Sequence, residues 1–317
     1  MANEIIRSSK DGTVIEFSDD LHDAIATVAQ GMIPSVRRIV IGNGPASFGD
    51  GVLSIHIDGD PINVGVTELE FNTTKVTAVS LADLSDGTER MGHRPQSGKG
   101  GVVVVLIMHL DCPDSTLARA GITATEAITA AVQDLGLAYD SMTASGSARQ
   151  DIVVVRDRGS DLFLRGAGKH SKLGELIGRA TIDSVKESAA RNGTDIGSRR
   201  SVLAMLSSYG YGAERLSEMA GRRISASGRD SDPKTVATVS AVLHLYNECR
   251  WGLVSEEIAT KVGTAAIASG IGEPVVGKDQ LETLALTAIK HVFNRCYMPC
   301  DGTRSEVLRI NYKSELL

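Results

Sequence analysis

Short runs of β-type residues, separated by turn residues, dominate the chain up to about residue 110. Each run is bounded by Gly, Asn, Asp or Pro, which is the pattern of strands joined by turns. One more run of this kind follows the first long helical pattern. The predicted strands are Val14 to Phe17, Arg38 to Ile41, Val52 to Ile57, Val66 to Phe71, Val76 to Leu81, Gly101 to Leu110 and Ile152 to Val155.

Two short links indicate how these strands are arranged. Asp58 to Pro61 and Asn72 to Thr74 are too short to hold a crossover helix. Links of that length are typical of antiparallel neighbours. We therefore expect an antiparallel or mixed sheet.

Two helices with apolar residues at i, i+3 and i+4 follow the strand that ends near Leu110. The first is predicted from about Ser115 to Leu135, after the capping sequence Asp111 to Asp114. The second begins near Ser171 and ends at Asn192-Gly193. Each helix should bury one face against the sheet. The faces are Leu117, Ala124, Ala127, Ala131 and Leu135 in the first helix, and Leu173, Leu176, Ile177, Ala180 and Ser184 in the second.

Beyond residue 193 the β-type pattern disappears and helical periodicity takes over. Candidate helices cover about 201–220, 234–250, 255–269 and 280–297. The net charge also changes at this place: residues 1–192 hold 18 Lys+Arg and 25 Asp+Glu, whereas residues 193–317 hold 15 Lys+Arg and 14 Asp+Glu. The predicted fold class is α+β: an antiparallel or mixed sheet domain with packed helices over 1–192, followed by an all-helical C-terminal domain over 193–317.

The C-terminal helices carry broad apolar faces that must be buried. We expect this segment to pack on the sheet domain and cover its ligand cleft, and also to form a subunit interface, with a homodimer favoured over a monomer. Truncation after Asn192 is then expected to leave poorly soluble protein. The apolar positions are Val236, Val239, Val242, Leu243, Leu245, Leu281, Leu284, Leu286, Ile289, Val292 and Phe293.

Composition excludes several classes of protein. The chain of 317 residues is 42% hydrophobic and 23% charged, which is typical of a globular protein rather than a disordered one. A net charge of −6 and 4% aromatic residues argue against a nucleic-acid partner. The longest apolar run, Val102 to Met108, is too short for a membrane span, and Glu4 interrupts any signal-like start. We expect a cytoplasmic protein with no membrane partner.

The four cysteines are too few for a disulfide framework, which agrees with a reducing compartment. Cys296 and Cys300, with His291 upstream, leave a metal site open as an alternative. Two thiols on one helix face are more often small buried side chains, and structural zinc normally has four ligands at tighter spacing. We therefore expect no metal.

Glycine-rich loops do not match the known nucleotide fingerprints. Gly98-Lys99-Gly100 lacks the Ser or Thr that follows the lysine of a phosphate loop, and a strand rather than a helix comes next. Gly42 to Gly44 and Gly166 to Gly168 lack the third glycine of a dinucleotide site. We expect no nicotinamide, flavin or nucleotide cofactor, and these loops are interpreted as turns.

Three stretches combine polar groups with backbone features that catalysis uses: residues 123–127, 143–151 and 166–178. The third is a glycine-rich loop that opens onto a helix, where free N–H groups suit an anion or a developing oxyanion. His170 would lie there as a proton carrier. Simpler interpretations remain open: Ser171 as an N-cap, His170 as an exposed loop residue, Glu126 as a solvated helix carboxylate, and the loop serines as turn formers.

Together these stretches resemble the adenosylcobinamide amidohydrolase family of corrinoid salvage enzymes. The resemblance runs from roughly Gly98 to Ala190 and is most specific over Gly168 to Gly178. It also includes Gly101 to Val105, Leu117 to Ala120 and Thr125-Glu126-Ala127. The resemblance implies hydrolysis of the amide that links the aminopropanol arm to a corrin-ring propionate, giving adenosylcobyric acid for coenzyme B12 synthesis.

The chain departs from the family pattern at several positions. Ala148-Arg149-Gln150 precedes Asp151 where the family has a Thr/Gly-rich loop closing with Thr-Asp, Ile128 replaces a common Lys, and Ser171 replaces a common Thr. About 120 residues after Asn192 lie outside the resemblance. Two alternatives therefore remain: a corrinoid or tetrapyrrole binding protein without catalysis, and an amidohydrolase acting on a different ligand.

Amide hydrolysis needs an activated nucleophile, donors for the oxyanion and an acid for the leaving amine. As a hypothesis, Glu126 or Asp151 activates water, the loop from Gly166 to Ser171 donates N–H groups, and His170 protonates the amine. Attack by Ser147 or Ser145 is the less favoured route. The expected catalytic residues, Glu126, Ser147, Asp151 and His170, should converge on one pocket. The expected substrate-binding residues are Thr143, Ser145, Gly146, Gly168, Lys169, Ser171 and Lys172.

Overall fold

A computed structural model describes residues 4–29, 31–85, 87–94, 98–139, 142–194 and 201–293. Its strands are β1 (Glu4–Ser9), β2 (Gly12–Phe17), β3 (His22–Ala26), β4 (Met32–Ile33), β5 (Arg38–Gly42), β6 (Ser47–Gly49), β7 (Val52–His56), β8 (Gly65–Phe71), β9 (Thr74–Asp83), β10 (Thr88–Glu89), β11 (Gly101–Met108), β12 (Ala138–Tyr139), β13 (Met142–Thr143), β14 (Gly146–Ser147) and β15 (Arg149–Asp157). Its helices are α1 (Asp114–Asp134), α2 (Lys172–Arg191), α3 (Val202–Ser207), α4 (Ala213–Ala220), α5 (Pro233–Arg250), α6 (Glu256–Gly270) and α7 (Gln280–His291).

Two mixed sheets form the N-terminal part. A six-stranded sheet has the order β4-β3-β15-β11-β9-β8, in which β11 and β15 are parallel and the other neighbours are antiparallel. A five-stranded sheet has the order β1-β2-β5-β7-β6, in which only β5 and β7 are parallel. The predicted α+β class, with a mixed sheet, packed helices and a helical C-terminal part, is confirmed.

The six-stranded sheet is the middle layer of three. Successive side chains of a strand point to opposite faces, so Val103 and Val105 of β11 face the five-stranded sheet, while Val102 and Val104 face α1 and α2. Every residue of β11 is buried. A strand covered on both faces has an uninterrupted apolar sequence, which explains the run from Val102 to Met108.

A polar seam joins α2 to the sheet. Ser80 and Ser184 hydroxyls lie 2.6 Å apart, and Ser188 Oγ accepts the backbone N–H of Ala82 at 2.8 Å. Ser188 Oγ also donates to the Asn63 carbonyl at 2.7 Å. Buried polar groups need such partners, so these serines are consistent with the buried face predicted for α2. The predicted faces of both α1 and α2 are buried.

One of the two predicted antiparallel links is wrong. Residues 72–73 do join the antiparallel strands β8 and β9, with Phe71 opposite Thr74. Asp58 to Pro61, however, lies between β7 and β8, which belong to different sheets. Packed sheets are only about 10 Å apart, so a short link can carry the chain between layers as well as between neighbours.

Strand β3 is absent from the predicted elements although it pairs with β15 near the middle of the sheet. Its sequence, HDAIA, begins with two polar residues, and both are buried. Asp23 is held by Arg156, whose Nη2 lies 2.9 Å from its Oδ2. A buried ion pair across two strands therefore replaces the apolar alternation that would have revealed β3.

The C-terminal helices form a core of their own. The region predicted as one helix over about 201–220 is two helices, α3 and α4, and residues 294–317 lie outside the described part of the chain. The broad apolar faces were expected to bury against the sheet domain, but they bury mainly against each other, around Val239, Leu243 and Leu284. None of the described helices is both long and apolar enough to cross a membrane.

Candidate functional site

A cleft of about 570 Å³ lies at the N-terminal ends of the parallel strands β11 and β15. Three parts of the chain line it: the segment from Glu89 to His93, the loop from Ser145 to Gln150, and one side of α1. Thr125 and Thr129 are the residues that α1 contributes. Of the expected site residues, Ser145, Gly146 and Ser147 lie in this cleft.

Ser145 fixes the two loops to each other. Its backbone N–H donates to the Glu89 carbonyl at 2.8 Å, and its Oγ accepts the backbone N–H of Met91 at 2.8 Å. Its own carbonyl accepts the Thr129 hydroxyl at 2.9 Å. The hydroxyl of Ser147 donates to the Arg149 carbonyl at 2.6 Å. Both serine side chains thus stabilise the wall of the cleft.

Arg90 and His93 are cleft residues absent from the expected set. Arg90 Nη1 donates to the Thr143 carbonyl at 2.6 Å, and its guanidinium carbon lies 5.8 Å from the centre of the Trp251 ring. The His93 ring lies 6.1 Å from the Tyr139 ring. Both residues lie in the long connection of residues 84–100 between β9 and β11. Links longer than about 12–15 residues are uncommon and often functional, so the length of this connection is the feature of the sequence that points to them.

Glu126 and Lys169 form an ion pair beside the cleft, with Lys169 Nζ 3.5 Å from Glu126 Oε2. Neither side chain lines the cleft, although Glu126 follows Thr125 directly on α1. Both are more than half exposed, and exposed ion pairs contribute little to stability. Both charged groups are therefore accessible from solvent.

Ser171 is the N-cap of α2, as the simpler interpretation had it. Its Oγ accepts the backbone N–H of Gly174 at 3.0 Å and donates to the Gly168 carbonyl at 2.8 Å. His170 is exposed, and no hydrogen bond of its ring occurs among the described residues. Two threonines of α1 anchor the preceding loop, since Thr116 and Thr123 donate to the carbonyls of Arg165 and Ala167.

Lys172 does not line the cleft. Its ammonium lies 2.5 Å from Glu175 Oε2 and 4.6 Å from the centre of the Phe71 ring. This hydrogen bond and the positive charge lower the pKa of the Glu175 carboxyl. Lys172 is thus engaged at the first turn of α2.

Asp151 lies at the start of β15, where its Oδ1 accepts the Thr27 hydroxyl at 2.9 Å. Alternation along the strand directs it to the side opposite Gln150, which lines the cleft. Thr143 also lies outside the cleft and lines a separate cavity next to α3 and α5. Of the four expected catalytic residues, the cleft therefore holds Ser147, while Glu126, Asp151 and His170 lie outside its lining.

Metal and thiol chemistry have few candidates in the described part of the chain. No three His, Cys, Asp or Glu side chains group there as a metal site. His291 Nε2 lies 2.9 Å from the Glu273 carbonyl, and Cys296 and Cys300 lie outside the described residues. Burial raises the pKa of the Cys112 thiol to about 11, which keeps it protonated and a poor nucleophile.

Residues 62–196 match the family model of adenosylcobinamide amidohydrolase, CbiZ. The match covers less than half of the chain, and it includes the cleft, α1, α2 and four of the six strands of the larger sheet, β8, β9, β11 and β15. The predicted resemblance over Gly98 to Ala190 is confirmed and extends further toward the N-terminus.

Two other proteins are similar to the chain. An uncharacterized protein of Methanocaldococcus jannaschii, MJ1613, is 30% identical over 148 residues, which cover 39% of this chain and 57% of that protein. The chain thus matches little more than half the length of this relative. The crystal structure of the PH0078 protein from Pyrococcus horikoshii OT3 has a TM-score of 0.32 at 10% identity, over 59% of this chain and 78% of that one. A likeness at this level supports no statement about fold or function.

Proposed function

We propose that the protein hydrolyses the amide between the aminopropanol arm and the corrin ring of adenosylcobinamide, giving adenosylcobyric acid. The observation that carries this proposal is the family match over residues 62–196, which contains every residue of the cleft. A cytoplasmic role in corrinoid salvage is part of the same proposal, as is the absence of a separate cofactor.

The surroundings of the cleft suit a large amphipathic substrate. Pockets of about 300–1,000 Å³ hold drug-sized ligands, so a corrinoid would fill the cleft and extend beyond it. On one side Thr125 also borders an apolar depression lined by Ile25, Ile122 and Ile152. This depression offers a surface for the edge of the corrin ring, while the cleft hydroxyls offer hydrogen bonds to its amide side chains.

For the chemistry we propose that Glu126 activates water and that N–H groups of the loop from Gly166 to Ser171 stabilise the oxyanion. Asp151, the other carboxylate expected in this role, is the less favoured base, because it lies on the side of the strand opposite the cleft-lining Gln150 and accepts the Thr27 hydroxyl. His170 would protonate the leaving amine. Ser147 remains the less favoured nucleophile, because its hydroxyl already donates within the loop. His93, an imidazole that lines the cleft itself, is the competing candidate for the acid.

The test is incubation of the purified full-length protein with adenosylcobinamide, followed by mass spectrometry for free aminopropanol. Release of aminopropanol together with adenosylcobyric acid, without added nucleotide or nicotinamide, is the expected result. Tight binding without release would indicate a corrinoid-binding protein that lacks the activity. A protein that neither binds adenosylcobinamide nor releases aminopropanol would refute the proposal. That result would favour an amidohydrolase acting on a different ligand.

A further inference from the structure

The side chain of Gln150 is a polar group of the cleft that the proposed chemistry does not use. Gln150 lies on β15, directly before Asp151, and it lines the cleft together with Gly146 of β14. It is half-buried, and both polar atoms of its amide have accessible surface. A ligand in the cleft can therefore reach this amide.

Several other polar side chains of the cleft are engaged within the protein. Three hydroxyls donate to backbone carbonyls, those of Thr125 and Thr129 at 2.9 Å and that of Ser147 at 2.6 Å. Arg90 also donates to a backbone carbonyl. By contrast, no hydrogen bond of the Gln150 side chain occurs among the described residues. Its amide thus keeps two N–H donors and a carbonyl acceptor for a ligand.

Gly146 leaves the space in which this amide lies. A Cβ atom on Gly146 would lie 3.0 Å from Gln150 Oε1, so the end of the side chain lies close to the backbone of β14. Gly146 pairs with Glu89 of β10, and Gln150 itself pairs with Val102 of β11. The amide is therefore held on paired strands, which position a binding group more precisely than a free loop does.

The functional group that matches this amide is another primary carboxamide. A carboxamide has an N–H donor beside a carbonyl acceptor, so two of them form a pair of antiparallel N–H···O hydrogen bonds. A carboxylate or an ester lacks the donor and can form only one of the two bonds. A corrinoid carries primary carboxamides around its ring, in addition to the amide that the proposed reaction cleaves.

We propose that Gln150 binds a ring carboxamide of the corrinoid through this pair of hydrogen bonds and thereby orients the ring in the cleft. The inference rests on the proposed function, because it takes a corrinoid as the ligand of the cleft. The carboxamide that Gln150 holds is not the amide that is cleaved. The pair is therefore present in substrate, transition state and product alike, so its loss should raise KM and leave kcat nearly unchanged.

The probe for this contact is adenosylcobyric acid, because this product keeps the ring carboxamides but no longer has the scissile amide. It is titrated into the full-length, nitrogen-15-labelled protein while the side-chain NH₂ signals of glutamine are followed by NMR. The pair of signals that disappears in Gln150→Met belongs to Gln150. Gln133, an exposed residue of α1 outside the cleft lining, is assigned in the same way through Gln133→Met and is the matched control.

The Gln150 signals are expected to shift saturably with the probe, whereas the Gln133 signals stay unchanged. Gln150→Met keeps the length of the side chain without the amide and should weaken probe binding about 30-fold, the combined effect of two average hydrogen bonds. Gln150→Glu keeps only the acceptor and should weaken binding at least about five-fold. Both variants should raise KM for adenosylcobinamide by similar factors and keep kcat within about three-fold. Gln133→Met should behave as the wild type.

Two results would overturn this inference while the proposed hydrolysis stands. In one, the wild type hydrolyses adenosylcobinamide, but the Gln150 signals do not shift with the probe. In the other, a folded variant at position 150 binds the probe within about three-fold of the wild type, and either variant decides this if the other does not fold. Probe binding that depends on Gln150 in a protein without turnover would support the inference and refute the proposed activity. A wild type that neither binds the probe nor hydrolyses adenosylcobinamide would overturn both.

Discussion

At the scale of single residues, two histidines border the proposed chemistry in different surroundings. His93 lines the cleft and lies near the ring of Tyr139. His170 is exposed just before the N-cap of α2, on the surface where Glu126 and Lys169 pair. A corrinoid that extends from the cleft across Thr125 would reach toward both. The position of the scissile amide decides which imidazole can act.

We predict that His170→Ala lowers turnover of adenosylcobinamide by about 10²- to 10⁴-fold while corrinoid binding stays comparable, as for the loss of a placed general acid. His93→Ala should then lower turnover less than about ten-fold. Steady-state rates measured by aminopropanol release check both variants. His56→Ala, on the five-stranded sheet outside the cleft, is the control. A large loss in His93→Ala with normal turnover in His170→Ala would transfer the acid role to His93.

His109 is a partly buried titratable residue that the proposed chemistry does not use. Its Nε2 lies 2.9 Å from Thr77 Oγ1 and 3.5 Å from Glu4 Oε1. Burial lowers the pKa of His109, and the positive charge of Lys75 acts in the same direction, while Glu4 opposes both. The imidazole is therefore kept neutral in the folded protein at pH values where a free histidine begins to protonate.

A lowered pKa in the folded state makes stability fall at low pH. In the unfolded chain this histidine takes up a proton near pH 6.5, whereas in the folded protein it does so only at lower pH. The stabilisation that neutral His109 contributes is therefore complete above about pH 6.5 and is lost as the pH falls below that value. Urea unfolding should show a smaller loss of unfolding free energy between about pH 7.5 and 5 in His109→Gln than in the wild type. An equal loss in both proteins would assign the pH dependence to other groups.

At the scale of elements, the start of α2 depends on a close contact between helix and loop. A Cβ atom on Gly174 would lie 2.0 Å from the Gly168 carbonyl oxygen, so the glycine lets the loop of the proposed oxyanion donors lie against the first helical turn. Gly178, one turn later, has open space at the same position. The two glycines thus form a matched pair within one helix.

Gly174→Ala should destabilise the protein by about 1–3 kcal/mol, because the loop backbone must move to admit the methyl group. Gly178→Ala should stabilise it by about 0.5–1 kcal/mol, since alanine is the better helix former. Thermal and urea unfolding followed by circular dichroism measure both changes. Opposite signs for the pair are the expected result, and a neutral Gly174→Ala would show that the loop is not held against the helix.

At the scale of the whole molecule, the described chain has three apolar cores. Two flank the six-stranded sheet, and the third lies among the C-terminal helices. Among the residues that the structure describes after Thr194, no apolar side chain belongs to either of the first two cores. We therefore propose that residues 1–192 and 193–317 are separate domains. The cavity next to α3 and α5 and the contact of Arg90 with Trp251 are points where they meet.

Separate cores change the expected result of truncation. A chain ending after Thr194 keeps both cores of the N-terminal part, and Thr194 Oγ1 still accepts the backbone N–H of Leu84. We expect this fragment to fold cooperatively and to unfold within a few degrees of the corresponding transition of the full chain. Calorimetry of both proteins checks this. If the fragment is insoluble, this result would instead support the expectation from the sequence that the C-terminal helices cover the sheet domain.

The homodimer remains a prediction, and the exposed face of α6 is where we place it. Ile258 and Val262, one helical turn apart, are 55% and 51% exposed, and Leu253 before the helix is 71% exposed. Apolar positions grouped in this way favour association. Light scattering should give twice the mass of one chain, and Ile258→Glu with Val262→Glu should give a monomer. A monomeric wild-type protein would refute the prediction.

The sequence by itself determined those features that depend on local pattern. Buried β11 has an apolar run because both its faces are covered, and α2 shows its buried stripe and its N-cap at Ser171. The family resemblance was also readable from the sequence, because the block from Gly168 to Gly178 is long and continuous. Each of these features is encoded by residues close together in the chain.

The tertiary structure decided what depends on residues distant in the chain. Strand β3 was hidden because Asp23 is compensated by Arg156, which lies 133 positions away. The link from Asp58 to Pro61 was misassigned because its length does not distinguish a hairpin from a change of layer. His93 joins the cleft because β10 pairs with β14 and Ser145 binds the Glu89 and Met91 backbone, contacts that span more than 50 positions. Pairing between such distant segments depends on packing and hydrogen bonds that no local periodicity records.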